Sequence, residues 1–186
     1  MKFFNKKIFF ILIFILPITE VCASIKEKVI KNLENINNLT FNFEQNINGK
    51  IENGNCIIQY PKKIFCKYNS QNKKILVSNG KSLVIKTLNS FYRYPLEKTP
   101  LNLILNKEFI INKIKKSDEN LINSKFINFK IFENDHEINI FFDKNFYNLI
   151  GWQTIDIYQN LSITYLSSIS KNNDLDKNLF ELPTQN

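Results

Sequence analysis

Residues able to do covalent chemistry are scarce in this chain. Its one histidine, His136, sits in an Asn-Asp-His-Glu turn, and no cysteine is free to act with it. A Ser-His-Asp set needs a hydroxyl activated by a neighbouring base. Composition allows one, but there is no Gly-x-Ser-x-Gly elbow to carry it. His and Cys do not cluster at metal-ligand spacings, and four glycines do not build a phosphate-cradling loop. His136 therefore reads as a solvated turn residue, and the chain as a non-enzyme with no metal and no cofactor.

Cys56 and Cys66 flank Pro61 symmetrically. If the turn between them is centred on Pro61, the two face each other across a hairpin, with Cβ atoms about 4.5–5.5 Å apart. A disulfide then fits a non-hydrogen-bonded pair and contributes about 2–3 kcal/mol. A two-residue loop would instead put the cysteines on opposite faces, as two small apolar residues in a sheet.

Residues 1–23 read as an export signal. Lys2, Lys6 and Lys7 precede an apolar run from Ile8 to Leu16, and Pro17 leads to Val21-Cys22-Ala23. A membrane-spanning helix needs about 20 apolar residues, and this run is shorter. Cleavage after Ala23 would release an exported, periplasmic chain beginning at Ser24, and that compartment permits a disulfide. Cys22 offers a competing reading as a lipidation site, although Val21 and Thr19 stand where such signals carry a small residue and Leu. Residues 24–186 fit one domain with a sizeable core.

The formal net charge of +8 falls to +6 once Lys2, Lys6, Lys7 and Glu20 are removed. A basic balance can serve nucleic acid, an anionic membrane or an acidic partner. Here the lysines are scattered among Asn and Ile, as AT-rich coding would leave them, and the export signal argues further against nucleic acid.

The elements that would position any site are mostly strands. Ser24 and Glu27 form a capping box that opens a helix with the apolar stripe Ile25, Val29, Leu33 and Ile36. From Leu39 the period becomes two, with Leu39, Phe41 and Phe43 on one face and Thr40, Asn42 and Glu44 on the other. Asn48-Gly49 and Asn53-Gly54 punctuate the run after this strand. Cys56, Ile58 and Tyr60 then share a face, as do Ile64, Cys66 and Tyr68. Asn79-Gly80, between Ile75-Leu76-Val77 and Leu83-Val84-Ile85, reads as the two left-handed residues of a type I′ turn. An aromatic strand, Phe91–Tyr94, closes at Pro95.

Thr99-Pro100 reads as an N-cap with Pro at the first helical position. It opens a short helix from Leu101 to about Leu105, apolar nearly all round, which needs a greasy surface to lie on. Glu108–Lys116 fits helix or strand. Four further strands come next, Phe126–Phe132, Glu137–Phe142, Leu149–Tyr158 and Leu161–Ile169, and then one helical turn at Asp176–Phe180. Phe41, Phe43, Ile58, Tyr60, Ile64, Tyr68 and Leu83 are thus either a filled core or the lining of a cavity, since periodicity does not separate the two.

Three segments carry a family resemblance. Ile75–Leu83 has an apolar run, Ser, Asn, Gly, Lys, a hydroxyl residue and an apolar strand. Lys98-Thr99-Pro100-Leu101 opens a Leu/Ile helix, and Asp176, Leu179-Phe180 and Pro183 lie in order at the C-terminus. Their order and spacing resemble the LolA family, periplasmic carriers of outer-membrane lipoproteins, across the whole chain after residue 23. The resemblance implies an α+β fold, an incomplete, unclosed antiparallel β-barrel of about 11 strands whose concave apolar face is covered by helices as a lid.

On that reading Phe41, Phe43, Ile58, Tyr60, Ile64, Cys66, Tyr68 and Leu83 line an acyl-chain cavity. Val29, Leu33, Ile36, Leu101, Ile104 and Leu105 form the lid. The implied partners are acylated lipoproteins as cargo, a LolCDE-type ABC release complex in the inner membrane and a LolB-type acceptor in the outer membrane, with the carrier a monomer. Two departures stand out: Tyr60 occupies the place of an Arg that holds the lid shut in relatives, and Cys66 replaces a Trp. A phenol lacks the charge and fork of a guanidinium. The alternatives are a LolB-like, lipid-anchored acceptor or a periplasmic binder of other apolar lipids.

Overall fold

A computed structural model describes residues 23–122, 125–133, 136–155 and 160–185. The apolar segment before residue 23, with Cys22, lies outside the described residues, as does the end of the expected strand Leu149–Tyr158.

The first described element is helix α1 (Ile25–Glu34), entered through the capping box: Glu27 N–H donates to Ser24 Oγ at 3.2 Å, and Ser24 N–H to Glu27 Oε2 at 2.8 Å. Six strands come next, β1 (Asn38–Ile47), β2 (Lys50–Gln59), β3 (Lys63–Tyr68), β4 (Ile75–Asn79), β5 (Ser82–Lys86) and β6 (Phe91–Pro95). A 3-10 turn at Leu96–Lys98 then leads to α2 (Leu101–Ile104) and α3 (Lys107–Lys116). The last five strands are β7 (Glu119–Ile122), β8 (Phe126–Glu133), β9 (His136–Asp143), β10 (Leu149–Ile155) and β11 (Leu161–Lys171).

All eleven described strands form one antiparallel sheet in the order β6-β5-β4-β3-β2-β1-β11-β10-β9-β8-β7. Two meanders are therefore joined where the first strand pairs with the last. The free edges, β6 and β7, are consecutive in the chain, and the segment 96–116 carries it from one edge to the other. This is an unclosed barrel with helices on its apolar face. Alternation along β1 buries Leu39, Phe41 and Phe43 and leaves Asn42 and Glu44 exposed, and the other strands continue that face.

The turns divide the Asn-Gly pairs into three different uses. Asn48 (φ 50°) and Gly49 (φ 89°) are both left-handed and join β1 to β2 in the two-residue loop that a type I′ turn requires. At Asn79-Gly80 the expectation fails. Ser78 pairs with Leu83, so the loop shifts by one residue, and only Gly80 (φ 97°) is left-handed. Asn79 instead accepts the Lys81 and Ser82 N–H groups through Oδ1, both at 3.0 Å. Both strand partners move together, so Leu76 and Leu83 keep their common face.

Asn53-Gly54 is not a turn at all but the middle of β2, where Gly54 pairs with Phe43 on one side and Tyr68 on the other. A Cβ there would overlap the Lys67 carbonyl oxygen. Without one, the rings of Phe43 and Tyr68 meet edge to face across β2, 4.9 Å between centroids.

Glu108–Lys116, which fits either helix or strand by period, is helical. Asn106 Oδ1 caps it by accepting the Phe109 N–H at 3.1 Å, and Ile110, Ile111 and Ile114 face the core. Thr99 does not cap α2 through its side chain; its hydroxyl donates to the Leu96 carbonyl at 2.8 Å and closes the preceding turn. Asp176–Phe180 is a hydrogen-bonded turn rather than a helix, docked by buried Phe180. The edge strand β7, exposed throughout, has no sequence pattern that announces it.

Gly54→Ala should therefore lower stability by about 1–3 kcal/mol, read as an earlier urea-unfolding midpoint. An unchanged midpoint would contradict the close approach of β2 and β3.

Candidate functional site

Strand register builds the site in rows across the concave face. One row runs Phe41, Cys56, Cys66, Leu76, Ile85 from β1 to β5. Two residues further along β1 comes Leu166, Phe43, Gly54, Tyr68, and two further again Trp152, Thr164, Gln45, Glu52. The first row is apolar, the second aromatic and the third largely polar, so polarity rises steadily in one direction along the strands.

A pocket of about 260 Å³ lies over these rows, roofed by Thr99, Pro100, Leu101 and Ile104 at α2. Phe41, Cys56, Cys66 and Ile64 are its floor, Trp152 and Thr164 its wall beside the seam, and Tyr68 and Lys74 its rim. Cys56 and Cys66 are directly opposed and joined as a disulfide; the three residues Tyr60-Pro61-Lys62 make the loop, with Pro61 at its centre. Trp152 packs edge to face on Phe41, 6.4 Å between ring centroids.

At the rim Lys74 Nζ lies 2.5 Å from Glu52 Oε2 and 4.0 Å from the centroid of the Tyr68 ring. Burial alone would raise the Glu52 pKa, but the hydrogen bond and charge of Lys74, helped by Lys50 at 3.2 Å, outweigh it and hold the carboxyl below its ordinary value. Burial, then the Glu52 charge, pushes the Tyr68 phenol upward. The rim is thus an ion pair shielded from one side by an aromatic face.

Of the residues expected to line a cavity, Phe41, Phe43, Ile64, Cys66, Tyr68 and Leu83 do. Ile58 is fully buried on the same face of β2 as Cys56 and does not. Tyr60 also stays outside it. Its hydroxyl is buried with no hydrogen-bond partner, its phenol pKa is raised by that burial, and Lys107 Nζ sits 5.9 Å from its ring. The phenol therefore makes no hydrogen bond to the helices, and the Tyr60–Pro61 peptide, which is cis, leads instead to a backbone bond from Lys62 N–H to the Leu105 carbonyl at 2.9 Å.

The expected lid divides in two. Leu101 and Ile104 roof the pocket, and Leu105 is fully buried beside them. Val29, Leu33 and Ile36 are buried in the core without reaching the pocket, so α1 is no roof for it. The reason is anchorage. Asn32 Nδ2 donates to the Phe146 and Tyr147 carbonyls, Lys171 Nζ donates to Asn32 Oδ1 at 2.7 Å, and Lys107 Nζ donates to the Ile36 carbonyl at 2.7 Å. These partners are remote in sequence, and no local pattern announces them.

Sequence reasoning also missed Gln45, which continues the Phe41–Phe43 face of β1, and Trp152, Ser162 and Thr164, which reach the pocket only because β11 and β10 lie beside β1 in the sheet. The backbone of His136 opens β9. No group of His, Cys, Asp and Glu among the described residues could hold a metal ion. What the arrangement can do is bind an apolar chain whose polar end lies toward the rim.

Residues 34–183 match the family described as outer membrane lipoprotein carrier protein LolA. No curated protein matches the chain. Among solved structures, a LolA superfamily protein from Nitrosomonas europaea aligns with a TM-score of 0.44 at 7% identity, over 86% of this chain and 99% of that one. The Mycobacterium tuberculosis lipoprotein LppX aligns at 0.41 and 8% identity, over 80% of this chain and 94% of that one. The Pseudomonas aeruginosa MucA/MucB complex contains a chain aligning at 0.48 and 8%, over 87% of this chain and 62% of that one.

Because Glu52 holds its proton less tightly in the folded chain, its pair with Lys74 contributes stability above the ordinary carboxylate range, lost as pH falls through the lowered value. Melting temperature followed from pH 7 to pH 3 should fall less steeply in Glu52→Gln than in the parent. Identical slopes would contradict the assignment.

Proposed function

The chain belongs to the outer membrane lipoprotein carrier protein LolA family, and from that membership and the apolar pocket under α2 we propose that it is a periplasmic chaperone for lipoproteins. Its domain is residues 24–186, released by cleavage after Ala23. It takes the acyl chains of lipoproteins released by a LolCDE-type ABC complex, carries them as a monomer and passes them to a LolB-type outer-membrane acceptor. It performs no covalent chemistry.

The observation that carries this reading is the roof. Each buried methylene contributes about 0.8 kcal/mol, so several long chains in a dry cavity would not leave on any useful timescale. On the same measure a water-sized group needs about 10–15 Å³, so a pocket of about 260 Å³ has room for roughly one long chain. Cargo with more chains needs α2 displaced. Four residues cannot hold a helix by themselves. The tethers of α2 are Leu101 and Ile104 packed on the sheet and the Lys62–Leu105 backbone bond at its C-terminal end. Uncovering that surface offsets part of the gain from cargo and leaves binding reversible.

Native mass spectrometry of the protein from its own periplasmic fraction tests the proposal. A mass beginning at Ser24, without acyl addition and with co-purifying lipoprotein, is the expected result. A diacylglyceryl mass on Cys22 would make the protein a lipid-anchored acceptor instead, and a mature mass carrying only small lipids would make it a binder of other apolar ligands.

A further inference from the structure

Most of the pocket wall is apolar, and its polar side chains are nearly all engaged. Lys74 is held by Glu52 and the Tyr68 ring. Gln45 Nε2 donates to Ser162 Oγ at 3.1 Å. Thr164 is the buried exception. It is 4% exposed, lines the pocket, and its hydroxyl is buried with no hydrogen-bond partner. A buried hydroxyl left unpaired is costly, and valine has the same shape without that cost. The sheet holds Thr164 firmly between Gln45 on β1 and Trp152 on β10.

From this we infer that Thr164 is a specificity determinant whose hydroxyl, inaccessible in this structure, turns about χ1 to donate its proton to the ester carbonyl of an acyl ligand, with the attached chain running over the disulfide floor. The inference rests on the acyl-pocket reading above and deepens it. Position supports the direction of the chain. The Thr164 row lies four residues along β1 from the Phe41 row, about 13 Å at strand rise, and everything between is apolar or aromatic. An ester suits the donor because its carbonyl oxygen accepts and brings no proton of its own into the apolar wall. The rim gives a carboxylate no comparable anchor, since its most buried ammonium already has Glu52.

The test is a cycle of two ligands and two proteins. One ligand is a lipopeptide with two ester-linked palmitoyl chains on an S-glyceryl cysteine, and the other is the hexadecyl ether of the same glyceryl peptide, which lacks both carbonyls. Affinities are measured for the parent protein, Thr164→Val and Thr164→Ser. Going from parent to Thr164→Val should reduce the ester-to-ether affinity ratio by about three- to tenfold, the worth of one neutral hydrogen bond. Affinity for the ether should stay unchanged, and Thr164→Ser should keep the parent ratio. Thr164→Val should also melt about 2–4 °C higher, which a purely structural threonine would not do. If both ligands bind and Thr164→Val leaves their ratio unchanged, the inference is overturned while the acyl pocket stands. If neither ligand binds the parent protein, the acyl-pocket reading fails and the inference with it.

Discussion

Pairing of the first strand with the last holds the two halves of the sheet together. β1 and β11 lie side by side over almost their whole length, from Leu39 opposite Lys171 to Ile47 opposite Ser162. With that seam in the middle, β6 and β7 become the two free edges, and the chain has to travel from one to the other between residues 95 and 119. It does so as α2 and α3, laid across the apolar face. The roof of the pocket is thus a consequence of strand order, and so is its weakness: it belongs to a connection rather than to the sheet.

The three α-helices of the described residues are not equivalent in how they are held. α1 is tied down through Asn32, Lys171 and Lys107, and α3 buries Ile110, Ile111 and Ile114. α2 has one turn and packs only Ile104 completely. A cover that a ligand is to displace must cost less to remove than the ligand returns, and α2, a single turn within a connection, is the element that lies directly over the pocket. The disulfide between β2 and β3 ties together two of the strands that make the pocket floor.

Much of this was legible in the sequence because it is local. Alternation placed Leu39, Phe41 and Phe43 on one face, the symmetry of Cys56 and Cys66 about Pro61 set them opposite each other, and Ser24 with Glu27 marked where α1 begins. Other features depend on distant partners. Thr164 and Trp152 reach the pocket only through the seam, and a period-two pattern carries no information about which strands pair. The stripe on α1 shows that the helix buries a face, but not that Asn32 fastens it away from the pocket. Asn48-Gly49 and Asn79-Gly80 have the same composition and form different turns, because the pairing of the flanking strands decides which two residues become central. Tyr60 shows the limit of resemblance: the position is recognisable, yet its hydroxyl makes no bond to the helices.

The central claim, that acyl chains lie on the concave face beneath α2, can be tested through the chain's single tryptophan. Trp152 is in the pocket wall, against Phe41, and bromine quenches indole fluorescence only at close contact. A lipopeptide with brominated acyl chains should quench Trp152 on binding, while the same peptide without its chains leaves the emission unchanged. Full emission with the brominated lipopeptide demonstrably bound would place the chains elsewhere on the molecule and contradict the account.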